Sequence, residues 1–123
     1  MDGRVRLGRV AEGLAAEFLE RFGMRVLTRN WRRREGELDI VAQDWGTLVF
    51  VEVRSRTGEE LGHPLEAVTA RKRAQVVRSA RIYLNEEKWQ ASAFRFDVVG
   101  VTFWGDGRAP RLDYVPNAFG VGD

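Results

Sequence analysis

The stretch that decides the fold runs from Glu37 to Arg54: ELDIVA (37–42), QDWGT (43–47) and LVFVEVR (48–54). Two β-prone runs flank a short segment with turn character, which predicts an antiparallel hairpin. With the turn centred on Trp45-Gly46, opposed residues have numbers that sum to 91. Asp39 then lies across from Glu52, and Glu37 across from Arg54. Side chains two apart on a strand point the same way, so these four share one face. The other face holds Leu38, Ile40, Ala42, Val49, Val51 and Val53. One face of the hairpin is therefore expected to pack on a helix and the other to carry four charges.

Directly opposed side chains have Cβ atoms about 4.5 to 5.5 Å apart. Two carboxylates at that separation repel unless something neutralises them. A divalent cation held by carboxylates, a backbone carbonyl and water is the natural solution. A slip of one residue in register would separate the pair. The plainer alternative is a solvated face with charges paired crosswise, Glu37 to Arg54. The apolar run that leads into Glu52 argues against it, because a carboxylate in such a run is costly unless paired or functional.

Working outward, residues 8–22 carry Val10, Ala11, Leu14, Ala15, Phe18, Leu19 and Phe22 at helical spacing, with Gly23 placed to end the helix. Residues 24–30 read as a strand and 31–36 as a charged connection. A loop rich in Gly and Glu follows the hairpin and ends near His63-Pro64, where His63 is expected to serve helix entry. A second helix begins between Leu65 and Thr69 and runs to about Glu87, with Leu65, Val76, Val77, Ala80, Tyr83 and Leu84 as its apolar stripe. Arg71, Arg78 and Arg81 fall on its polar side and read as a solvated face. Residues 93–103 form another β-prone run. Arg111 to Val115 suggests a last short strand, and the chain after Pro116 is expected to be loose. Strand, helix, strand implies a crossover that sets 93–103 parallel to 48–54. The expectation is a single α/β domain over residues 1–116 with a tail over 117–123, its mixed sheet covered by a helix on each face.

At 123 residues with 44% hydrophobic content, the chain can bury one modest core. It has no apolar run near the roughly 18 residues of a membrane span. Nor does an apolar segment follow the charged residues 1–9, so a cytoplasmic location is the default expectation. The absence of cysteine excludes disulfides and thiolate ligands. Net charge is only +2 and the isoelectric point about 9.5. All of the basic residues except Lys72 and Lys88 are arginine. Arginine suits phosphate contacts, so this balance permits a nucleic-acid partner, although a GC-rich genome or a thermophilic host would enrich arginine everywhere.

Gly36-Glu37-Leu38-Asp39, twelve residues, then Glu52-Val53-Arg54 resembles the PD…(D/E)xK signature of the restriction-endonuclease-like superfamily. The closer resemblance is to the bacterial YraN family. It extends over the Gly8…Ala11-Glu12 helix opening, Asn30 with Arg32, GELDIVA, VFVEVRSR, Gly62…Pro64, Lys72 and FRFDVV at 94–99. The resemblance implies a restriction-endonuclease-like αβββαβ core similar to that of archaeal Holliday-junction resolvases. It also implies that Asp39, Glu52 and the Val53 carbonyl hold Mg²⁺ or Mn²⁺, with Glu12 as an additional acidic residue. A helical wheel sets Glu12 about 100° from the centre of the apolar stripe, at one edge, and Glu17 at a similar edge on the other side; the wheel does not choose between them, and the resemblance favours Glu12. The superfamily's third residue is lysine, and here it is Arg54, which is always charged and cannot act as a base.

Two function classes follow. One is a metal-dependent nuclease, with branched DNA as a substrate by analogy, in which Asp39, Glu52, Arg54, Glu12 and Glu37 form the catalytic set. Arg32, Arg33, Arg34, Arg56 and Lys72 would hold phosphates. The other is a non-catalytic nucleic-acid-binding or accessory module with a degenerate site, the reading that Arg54 favours. DNA is expected over RNA. Because related resolvases act as dimers and this chain is small, a homodimer is also expected.

Overall fold

The computed structural model describes residues 3–58, 62–89 and 93–122, without the side chains of 4 and 5. Its elements are α1 (Gly3–Arg21), β1 (Arg25–Arg33), β2 (Gly36–Asp44), β3 (Thr47–Thr57), a 3₁₀ turn (Pro64–Ala67), α2 (Ala70–Glu86), β4 (Ala93–Phe103) and β5 (Arg111–Phe119). Five strands form one sheet in the order β1-β2-β3-β4-β5. The first three are antiparallel, β3 and β4 are parallel, and β5 returns antiparallel. This is the mixed sheet with flanking helices expected of a restriction-endonuclease-like core.

The hairpin adopts the predicted register. Asp44 pairs with Thr47 and the ladder runs back to Ile40 opposite Val51. Trp45 takes a φ of 55° at the first loop position, the left-handed geometry that matches a two-residue turn to strand twist.

Two helices cover the two faces and divide the core in two. Under α2 lie Val41, Leu48, Phe50, Phe96 and Val98, packed on Val76, Val77, Ala80 and Tyr83. Under α1 lie Ile40, Ala42, Val49, Val51, Val99 and Val101, packed on Ala11, Ala15, Ala16 and Leu19.

Several expectations need correction. β1 runs on through Trp31 to Arg33, where a charged connection was expected. Besides its four charges, the hairpin's second face carries Val41, Leu48 and Phe50, which bury beneath α2. Leu38 packs on the α2 side while Ile40 packs on the α1 side. Strict alternation therefore fails across Asp39, where the neighbouring β1 carries Asn30 at a φ of 52°. Finally, α1 buries a stripe rotated from the predicted one: Ala11, Glu12, Ala15, Ala16 and Leu19 are inside, whereas Val10 and Phe22 are 46% and 63% exposed. Small alanines let the helix lie close to the sheet, and the bulkier residues are displaced to the flank.

β5 continues through Pro116 to Phe119, past the point where the chain was expected to be loose. Phe119 is buried and stacks on Phe96 with ring centroids 5.0 Å apart. An edge strand tolerates the proline because a position whose nitrogen faces away from the ladder needs no N–H donor. Among the described residues, no helix is long and apolar enough to cross a membrane.

Candidate active site

The site forms where β2 and β3 part. Their ladder stops at Ile40–Val51. Beyond it, the Asp39 carboxylate accepts the Val53 N–H at 2.9 Å through Oδ2. A side chain thus does the work of a strand carbonyl. β3 stays with β4 as far as Thr57–Phe103, while β2 stays with β1. The split opens a cleft of about 960 Å³, lined by Glu12, Glu37, Asp39 and Glu52 together with Arg9, Asn30, Arg32, Arg54 and Lys72.

Glu52 projects from β3 and is 3% exposed. Burial, reinforced by the neighbouring Asp39 charge, pushes its carboxyl up to about 8. Asp39 is also raised, by burial, against the lowering effect of the Val53 N–H and the Lys72 charge. The two carboxyls are close enough to perturb each other, which is the crowding that the register implied.

The cations near the pair are held at arm's length. Lys72 Nζ lies 3.6 Å from Glu52 Oε1 and 3.6 Å from Glu37 Oε1. Arg54 Nη1 lies 3.8 Å from Glu52 Oε1. These are ion pairs but not hydrogen bonds. Arg54 Nε is buried without a hydrogen-bond partner. Glu37 therefore meets Lys72 of α2 and not the predicted Arg54. Lys72 stands in the first turn of α2, whose Thr69 cap accepts the Lys72 N–H at 3.1 Å.

Glu12 reaches the same cleft from α1. It is 6% exposed, which places it inside the buried stripe and not at its edge. Asn30 Nδ2 donates to its Oε1 at 2.6 Å, and Arg29 Nε lies 3.4 Å away. Burial first, then the Asp39 charge, raises the Glu12 carboxyl.

The predicted phosphate-holding residues divide. Arg32 lines the main cleft. Arg33 is turned toward the end of α2, bonded to Glu86 at 2.9 Å and stacked 4.7 Å over Trp31. Arg34 is exposed beside Arg32 and Gln75 in a shallow hollow at the β1–β2 turn. The Arg56 guanidinium donates to the Gly62 carbonyl at 2.6 Å and to Thr102 Oγ1 at 2.9 Å, tying the loop before α2 to β4. Arg71, Arg78 and Arg81 are exposed on α2, as expected. His63 accepts the Leu65 N–H through Nδ1 at 3.2 Å and so caps the 3₁₀ turn.

The donor set suits a hard divalent cation: two carboxylates, one buried and one half-buried, in an electrostatically crowded pair that lines an open cleft. Among the described residues, no three His, Cys, Asp or Glu side chains gather tightly enough to cage a metal by themselves. A cation here would complete its shell from backbone, water or ligand oxygen.

Residues 11–101 match the uncharacterised protein family UPF0102. The chain belongs to that family. A UPF0102 protein of Pelotomaculum thermopropionicum is 48% identical over 96% of this chain and 98% of its own. Those of Geobacter metallireducens and Ectopseudomonas mendocina are 43% and 46% identical, covering 92% and 97% of this chain and 91% and 98% of their own. This is the YraN-type family that the residues pointed to.

Within this UPF0102 chain, three residues support the site: Asn30 and Gly36 were legible only as part of the family resemblance, and Ser79 escaped sequence reasoning. Asn30 anchors Glu12. Ser79 accepts the Glu37 N–H at 3.1 Å and donates to the Gln75 carbonyl. A Cβ on Gly36 would stand 2.3 Å from Ser79 Oγ, so glycine there lets the start of β2 lie against α2. Thr69, the α2 cap, did carry a signal, since a hydroxyl residue just before a helical run marks an N-terminus.

Proposed function

We propose that this protein is a metal-dependent nuclease that hydrolyses phosphodiester bonds in nucleic acid, DNA in preference to RNA. The reading rests on one observation: the buried Glu52 and the half-buried Asp39 stand side by side, each with a raised proton affinity, on the lining of an open cleft. A protein gains nothing structural from two adjacent desolvated carboxylates without close hydrogen-bonded counter-charges. A site that receives a cation does gain from them.

Asp39, Glu52 and the Val53 carbonyl would hold Mg²⁺ or Mn²⁺. Such an ion supplies polarisation of the phosphate and a bound water of lowered pKa. Asp39 is held for this by the Val53 N–H, and Glu52 by its place in the β3–β4 ladder. Arg54 and Lys72 flank the pair on the cleft side and would offset the charge that develops on the scissile phosphate. Arg9 and Arg32 on the cleft lining would engage flanking phosphates. Glu12, steadied by Asn30, adds a third carboxylate within electrostatic range of Asp39.

The test is a cleavage screen with Mn²⁺ and Mg²⁺ over single-stranded, duplex, flap and four-way DNA and a matched RNA, with Asp39→Ala as control. Metal-dependent cleavage that Asp39→Ala abolishes is expected. Cleavage that survives both Asp39→Ala and Glu52→Ala would remove the proposal.

A second reading, a non-catalytic nucleic-acid-binding or accessory module, is favoured by Arg54, because a guanidinium cannot accept a proton. Nucleic-acid binding with neither metal uptake nor cleavage would establish it. A homodimer gripping branched DNA extends the first reading, and sedimentation with and without a four-way substrate tests it.

A further inference from the structure

Lys72 is one of only two lysines in a chain that otherwise uses arginine for its positive charge. Its ammonium stands 3.6 Å from Glu37 Oε1 and 3.6 Å from Glu52 Oε1. It is largely buried, with 18% of its side chain exposed. It comes from the first turn of α2, so its backbone is fixed by the Thr69 cap. Neither oxygen is at hydrogen-bond distance, so the ammonium is shared between them and locked to neither. Arg54, 3.8 Å from the same Glu52 oxygen, is the only other cation paired with Glu52 among the described residues.

We propose that Lys72 is a built-in counter-ion that holds the cation seat at Glu52 and is displaced when a divalent metal arrives. This rests on the nuclease reading only through its metal site. The physical argument is charge and reach. The carboxyl pair draws a positive neighbour, and Lys72 provides one at 3.6 Å from Glu52 on a flexible four-carbon stem. A divalent ion at Asp39 and Glu52 neutralises the same oxygens and repels the ammonium. Lys72 can retreat to Glu37, whose side chain is 49% exposed at the cleft rim. Arginine at this place would be a poor counter-ion to displace, because its planar guanidinium binds carboxylates in two-pronged fashion. The displaced ammonium, together with the N-terminal end of α2, then faces incoming phosphate, so metal binding and nucleic-acid binding favour each other.

The two-lysine composition makes the test direct. Protein labelled with ¹³C-lysine gives two side-chain εCH₂ signals, and Lys88→Arg assigns them. Saturating Mg²⁺ is expected to shift the Lys72 signal and leave Lys88 unmoved. Calorimetry with Mn²⁺ in the absence of nucleic acid should show Lys72→Met binding metal about tenfold more tightly than wild type, because the competing charge is gone. Lys72→Arg should bind metal no more tightly than wild type. An unmoved Lys72 signal in protein that takes up Mg²⁺, or a Lys72→Met protein that binds Mn²⁺ equally or more weakly, overturns the proposal. The labelled wild-type protein answers the question even if Lys72→Met does not fold. If neither wild type nor Lys72→Met takes up metal, both this proposal and the metal-site reading fall. If metal binds but Lys72 stays put, this proposal falls alone.

Discussion

Two carboxylates in this molecule sit in the same kind of place and meet opposite surroundings. Asp39 on β2 accepts the Val53 N–H at 2.9 Å, and Asp97 on β4 accepts the Asn117 N–H at 2.8 Å. Asp39 bonds to the neighbouring strand just past the end of the β2–β3 ladder, and Asp97 does so at a register shift in the β4–β5 ladder. Asp97 is fully buried and completely served: Arg95 bonds to both of its oxygens, and the Tyr114 hydroxyl donates a short hydrogen bond to Oδ2. Arg95 in turn bonds to Asp44, and these anionic partners raise its proton affinity further. Tyr114 is pushed up to about 12 by burial and by Asp97. Asp39 is half-buried and has a buried carboxylate, Glu52, as its neighbour, and the cations beside Glu52 stand 3.6 and 3.8 Å from it. The first cluster is finished within the chain and serves structure. The second, on the proposed reading, would take its counter-charge from a metal ion.

The comparison breaks most visibly in activity. Asp39→Ala should reduce metal-dependent cleavage by on the order of 10³-fold or more, about 4 kcal/mol of transition-state stabilisation. A single-turnover assay on the preferred DNA checks this. Asp97→Ala, assayed at a temperature where it stays folded, should retain cleavage.

In stability the ranking reverses. Asp97→Ala leaves Arg95 and the Asn117 N–H without their main partner and should cost about 3–5 kcal/mol in urea unfolding. Asp39→Asn, which keeps an oxygen for the Val53 N–H, should cost less than about 1 kcal/mol in metal-free buffer. Equal losses at the two positions would erase the distinction.

Acidity sharpens the contrast further. The Glu52 carboxyl is raised from 4.5 to about 8 in the folded chain. Between those values the folded state binds more protons than the unfolded state, so stability falls as pH rises through the window. Metal-free wild type should therefore unfold more easily at pH 8 than at pH 5, Glu52→Gln should flatten the slope, and Mn²⁺ should offset the loss at pH 8. Wild-type stability that climbs from pH 5 to 8 would contradict the unsatisfied pair.

A smaller loss than at Asp97 concerns Asn30, whose φ of 52° a glycine also adopts without strain. Asn30→Gly removes the bond to Glu12 and should cost about 1–2 kcal/mol in thermal unfolding. It should also weaken cleavage less than Asp39→Ala does.

Much of this architecture is legible in the chain. The apolar alternation of 37–54 set the hairpin register, because a slip of one residue would turn every apolar side chain to the wrong face. The strand–helix–strand order required the parallel crossover. The spacing of Asp39 and Glu52 located the site, and the arrangement of Gly8 through Val99 located the family. Less legible was α1. Its apolar residues span more of the helix than the sheet can cover, and only packing decided that the alanines go inside and carry Glu12 with them.

Sequence by itself determined the order and type of the strands and helices, and which two carboxylates the hairpin brings together, because those follow from local periodicity and turn geometry. Tertiary structure decided what each carboxylate meets. The parting of β2 from β3 after Ile40, the reach of Lys72 from α2 and the closing of Arg95 and Tyr114 around Asp97 join residues far apart in the chain. Local pattern does not encode such meetings. They arise from how two helices settle on opposite faces of one twisted sheet, and they leave one buried carboxylate completed and the other open.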